Sequence, residues 1–121
     1  TMKIDEPTML IRIPQLYRPG MSRGALYEAT RGHWKVGPRR ERAELAMAVA
    51  GGIVREVYEI DAWHPAGATP EAARVHREAP PKRWEFTGRV ADDAIRRRYI
   101  GGSVKDYFRR GNQHPFAYVN C

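Results

Sequence analysis

Arg39-Arg40-Glu41-Arg42 follows Gly37-Pro38, and this spacing carries the most pointed chemistry in the chain. Proline is favoured at the first position of a helix, where its missing N–H would have no partner anyway. Arginines crowding that opening turn face the positive end of the backbone dipole, where they cost stability instead of adding it. Free backbone N–H groups and guanidinium groups aimed at one place make an anion site, and phosphate suits the arginine fork. Glu41 and Glu44 stand near enough in sequence to neutralise part of this charge, so a salt-bridged surface is the competing reading. Three tryptophans lie beside basic residues: Trp34 by Lys35, Trp63 by His64, and Trp84 by Lys82-Arg83. An indole next to a cation can stack on a base while the cation holds a phosphate. The alternative is that all three indoles belong to the core. The candidate nucleic-acid-binding set is therefore Trp34, Lys35, Arg39, Arg40, Arg42, Trp63 and Trp84.

Two other basic clusters have a structural account. Arg96-Arg97-Arg98 ends a helix that Asp92-Asp93 begins, and acids first with bases last complement the dipole. Arg109-Arg110 stands at the end of the next predicted helix for the same reason. His33, His64, His76 and His114 show no metal-ligand spacing, and Ser22 and Ser103, the only serines, are accounted for as helix caps. No metal, no cofactor and no serine nucleophile is expected. Lys35 with Glu59 or Glu85 is the one acid–base pairing worth carrying forward.

The elements that must position these residues follow from local patterning. Thr8 to Ile13 reads as a strand stopped by Pro14. Ser22 caps a helix to about Arg31, with Met21 and Leu26 as a hydrophobic staple and Gly32 as a left-handed cap. His33 to Val36 is extended, and a short helical turn starts at Pro38. Ala46 to Ala50, Gly51-Gly52, and Ile53 to Trp63 form a hairpin, with a bulge expected near Arg55-Glu56. Residues 64–81 are rich in Pro, Ala and charge; they read as a mobile loop with a short helix over 71–78. Arg83 to Val90 is a strand, Asp92 to Tyr99 a helix, and Ser103 to Arg110 a second helix with a Ser103/Asp106 capping box. Phe116 to Val119 closes the chain, placed to pair with the first strand.

These parts fit one α+β domain over residues 1–121: a small, partly closed β-barrel of about five strands with short helices at its margins. The formal charge of +7 favours phosphate-rich partners. Arginines outnumber lysines 17 to 4, so a compositional bias can supply part of that excess, and placement has to decide. Cys121 is the one cysteine, which rules out an intrachain disulfide and points to a reducing, cytoplasmic setting. No apolar run approaches the roughly 18–20 residues of a membrane helix, and the opening residues do not read as a signal peptide. Thr1 before Met2 reads as an added residue or a cut inside a longer protein.

Leu16-Tyr17-Arg18-Pro19-Gly20-Met21-Ser22, Leu26 to Gly32, Val57 to Ile60 with Trp63, Arg83 to Phe86, and Tyr118 to Cys121 resemble a domain on the C-terminal side of some bacterial and archaeal GIY-YIG nuclease proteins. The resemblance spans nearly the whole chain. It implies a fragment or stand-alone version of a larger nuclease-associated protein, with a nuclease domain as neighbour or partner. Tyr99-Ile100-Gly101 matches half of the nuclease signature, but no glutamate follows Glu85, so the nuclease site itself is absent. More distantly, the element order is similar to the PUA-like group (ASCH, EVE and YTH domains), which implies binding of RNA or of a modified base. Thr30 and Lys35 do not match the ASCH hydrolase pattern. Three functions follow as expectations: a nucleic-acid-binding module, one form of which reads a modified or flipped base; a small hydrolase of a modified nucleoside using Lys35 with Glu59 or Glu85; or a protein-interaction domain using residues 64–81.

Overall fold

A computed structural model describes residues 2–68, 82–108 and 114–121. Its elements in order are strand β1 (Thr8–Arg12), helix α1 (Arg23–Arg31), a 3-10 turn (Pro38–Arg42), strands β2 (Leu45–Ala50), β3 (Ile53–Pro65) and β4 (Trp84–Val90), helix α2 (Asp93–Tyr99), a second 3-10 turn (Lys105–Tyr107) and strand β5 (Phe116–Val119). The fold is α+β. One five-stranded mixed sheet runs in the order β4-β3-β2-β1-β5. β1 and β2 are parallel and every other neighbouring pair is antiparallel. The edge strands β4 and β5 do not pair with one another, so the sheet is open.

β2, Leu-Ala-Met-Ala-Val-Ala, is buried at all six positions because both faces of the sheet are covered. Leu45, Met47 and Val49 face α2, Ile4 and Val104; Ala46 and Ala48 face α1, Val36 and Ala43. Burying side chains the size of Leu10 or Met47 contributes roughly 1.5–3 kcal/mol apiece. Gly51 and Gly52 both take positive φ (62° and 74°) to close the β2–β3 turn, as the Gly-Gly pair predicts. Ala48 pairs with Glu56 and Val49 with Val54, which leaves Arg55 as the extra residue of the expected bulge. Gly88 has no room for a side chain, since a Cβ there would run into the backbone oxygen of Glu59 across the β3–β4 ladder.

Some local expectations need correction. Ser22 does cap α1, accepting from the Ala25 amide at 3.1 Å, but Gly32 is extended (φ −175°) and not left-handed. Gly32 leads in extended backbone toward Trp34, which bridges to Trp84. Ser103 caps no helix. It forms an isolated bridge with Ile53, and the following turn begins after the buried Val104. His64 and Pro65, expected in a loop, complete β3 opposite Glu85 and Trp84. The helix expected over 71–78, most of the loop over 64–81 and the Arg109-Arg110 pair lie outside the described residues. Among the described residues no helix is long and apolar enough to cross a membrane.

Candidate nucleic-acid interface

The stretch 34–42 crosses one face of the sheet from the β4 edge to the β5 edge. At its start, the Trp34 and Trp84 amides each donate to the other's carbonyl, at 2.9 and 2.8 Å. The Trp34 indole N–H donates to the Thr30 carbonyl at 2.7 Å, which fixes the ring against the end of α1. Val36 then turns into the core, and Pro38 opens the 3-10 turn. At the far end the Arg39 Nε and Nη2 donate to the Cys121 carbonyl at 2.8 and 2.6 Å, with the guanidinium 4.7 Å over the Tyr118 ring. Burial pushes the Tyr118 phenol pKa above its ordinary value, a rise that Arg39 opposes.

Pro38 does start a helical turn, but five residues of 3-10 geometry sum to little dipole. The expectation of an anion site built on the helix terminus is therefore corrected: what the turn offers is its side chains. Lys35, Arg39 and Arg42 are exposed, and none reaches an Asp or Glu among the described residues. Arg40 behaves differently. Its side chain is only 12% exposed, stacks 3.6 Å over Trp84, and places Nε 3.1 Å from Glu41 Oε2. A desolvated cation on an indole is worth up to about 2 kcal/mol, so Arg40 pins the turn to β4.

Of the predicted residues, Trp34, Trp84 and Arg40 are thus brought together, with Lys35, Arg39 and Arg42 along the same stretch. Trp63 is not part of this surface. It is 8% exposed and packs edge-on against Phe86 at 5.4 Å between ring centroids, so the core reading holds for it. Tyr118 belongs to the surface and was not anticipated; its only sequence signal was its place in a strand predicted to pair with the first.

Elsewhere among the described residues, Arg31, Arg89, Arg96 and Arg98 are held by carboxylates, Arg18, Arg55 and Arg83 donate to backbone carbonyls, and the exposed Arg23 and Arg97 stand apart from one another without an Asp or Glu partner. Arg96 gives both Nε and Nη2 to the two oxygens of the buried Glu56, at 2.9 and 3.1 Å, and this raises the Arg96 pKa. Arg98 reaches Asp5 and Glu6, and Arg89 reaches Glu59 and Asp61. Arg31 is 2% exposed; its Nε donates to the Phe86 carbonyl at 3.0 Å and its Nη2 to Glu85 at 3.1 Å. Together with Tyr27, whose hydroxyl accepts from the Gly88 amide at 3.1 Å, Arg31 and Trp34 seal the open edge of β4. Glu85, fully buried, also meets His33 at 3.2 Å and the Gly67 amide at 2.6 Å. No ion pair joins Lys35 to Glu59 or Glu85: Glu59 is held by Arg89, and Glu85 by Arg31.

No family model matches the chain, and neither do the curated proteins or the solved structures. The site's chemistry therefore has to be read from its own geometry. Beside the basic stretch lies a cleft of about 460 Å³ rimmed by Glu6, Glu41, Glu44, Glu59 and Asp61, with Ile60 and Trp63 in its lining. These carboxylates come from three separate parts of the sequence, which hid the cleft from sequence reading. Among the described residues no cluster of His, Cys, Asp or Glu has a metal-holding arrangement.

Proposed function

We propose that the protein is a nucleic-acid-binding module whose phosphate contacts come from Lys35, Arg39 and Arg42. The reading rests on one observation: among the described residues these three are gathered on the single stretch 35–42, exposed and without an Asp or Glu partner, while Arg31, Arg89, Arg96 and Arg98 are engaged with carboxylates. Lys35 and Arg42 can bind phosphate through counterion release with no side-chain ion pair to break first, while Arg39 would exchange its hydrogen bonds to the Cys121 backbone oxygen for phosphate. The half-buried rings of Trp34, Trp84 and Tyr118 lie along the same stretch and supply apolar surface for a base. Recognition of a modified or flipped base is the narrower form of this proposal. So are a PUA-like curvature of the sheet, a tethered nuclease domain and a cytoplasmic setting. The hydrolase alternative would need Lys35 to work with a carboxylate that is not already engaged by an arginine.

The test is binding of labelled oligonucleotides at 50 and 200 mM salt. Three phosphate contacts predict a loss of roughly 20- to 40-fold across that range. Binding that is absent, or that ignores salt, removes the proposal.

A further inference from the structure

Resting on that reading, we infer that the ligand is single-stranded nucleic acid and that the acidic cleft beside the basic stretch discriminates against duplexes. Glu41 sits between Arg40 and Arg42 in one turn, yet it lines the cleft together with Glu6, Glu44, Glu59 and Asp61. The boundary between attractive and repulsive surface therefore falls within a single turn of chain. Arg40, Arg89 and Arg98 offset the charge of Glu41, of Glu59 and Asp61, and of Glu6, and Glu44 has no cationic partner among the described residues, so the cleft keeps an acidic excess.

One backbone can follow Lys35, Arg39 and Arg42 and keep clear of these carboxylates. A duplex cannot do so easily, because its two backbones are separated by grooves only about 6 and 12 Å wide. A second backbone that close lies within about one Debye length of the cleft at physiological salt, where like charges are poorly screened. Placing like charges together is a recognised way to reject a wrong partner. The aromatic surface favours the same ligand. Two cation–aromatic stacks, Arg40 on Trp84 and Arg39 on Tyr118, flank the band, and the half-buried Trp34 ring stands at its start, beside its bridge with Trp84. Stacking on such rings is open to unpaired bases and closed to bases already stacked inside a helix.

The experiment is fluorescence anisotropy of the full chain with a 12-nucleotide single-stranded DNA, the same sequence as RNA, and the 12-base-pair DNA duplex, at 100 mM salt. At least one single strand is expected to bind about 10-fold or more tightly than the duplex, and the DNA and RNA arms report which sugar is preferred. In Glu41→Gln/Glu44→Gln the gap should narrow by about threefold or more, through a gain in duplex affinity. Both glutamates are exposed, and an unchanged melting temperature would confirm that the variant is folded. A duplex that binds as tightly as either single strand overturns this inference and leaves nucleic-acid binding standing. A preference that the double variant does not alter overturns the role of the cleft. Failure of all three probes to bind at 50 mM salt overturns the proposed function itself.

Discussion

Arg96 and Arg98 of α2 and the cations of the 35–42 stretch carry the same charge into opposite roles. Arg96 lies flat against both oxygens of Glu56, and Arg98 bridges Asp5 and Glu6, so these side chains fasten α2 and the N-terminal segment to the sheet. Lys35 and Arg42 fasten nothing among the described residues, and Arg39 holds only a backbone carbonyl and a ring. Total charge could not have separated the two groups. What separates them is whether the fold has already supplied a counter-ion, and that decides which cations a polyanion can recruit.

The contrast can be broken from the structural side first. Arg31→Leu leaves Glu85 buried without its guanidinium and strips a donor from the Phe86 carbonyl. It should cost about 3–5 kcal/mol in urea unfolding. Wild-type stability in that variant would mean that the buried pair is not a fastening. Glu56→Ala removes the two hydrogen bonds from Arg96 and the one from the Val57 amide, and should cost about 1.5–3 kcal/mol, less than Arg31→Leu because Arg96 can rehydrate. Arg40→Ala loses its stack on Trp84; about 1–2 kcal/mol is expected, together with a change in tryptophan emission as the indole is uncovered. At the small end, Lys35→Ala and Arg42→Ala should each alter stability by no more than about 0.5 kcal/mol in the same unfolding assay. A loss above about 1 kcal/mol in either would place that residue with the structural group and weaken the contrast.

Local features were legible in the sequence where their cause was local. Gly51-Gly52 demanded positive φ, Ser22 was placed to cap α1, and the broken alternation at Arg55 announced the bulge. The antiparallel pairing of β1 with β5 followed from two short strands bounded by breakers. What the sequence hid was decided at long range. Arg31 reads only as the end of a predicted helix, yet Glu85, 54 residues away, and the Phe86 carbonyl on the β4 edge hold it in the interior. Arg40 reads as a phosphate ligand, yet Trp84 claims it from across the sheet. Ser103 looked like a cap because the Ser103/Asp106 spacing fits one, but its backbone bridge to Ile53 takes precedence. The candidate site is still proposed at the Pro38 turn but on different grounds, since exposed side chains without carboxylate partners among the described residues replace the helix terminus as the source of attraction.

The central claim is that Lys35, Arg39 and Arg42 are the phosphate contacts, and the salt slope of binding addresses it most directly. Affinity for a labelled single-stranded oligonucleotide would be measured from 25 to 300 mM salt for the wild type and for Lys35→Ala/Arg39→Ala/Arg42→Ala, with melting temperatures recorded for both. Loss of three contacts should flatten the log–log slope by about 2. An unchanged slope in a folded triple variant would contradict the account.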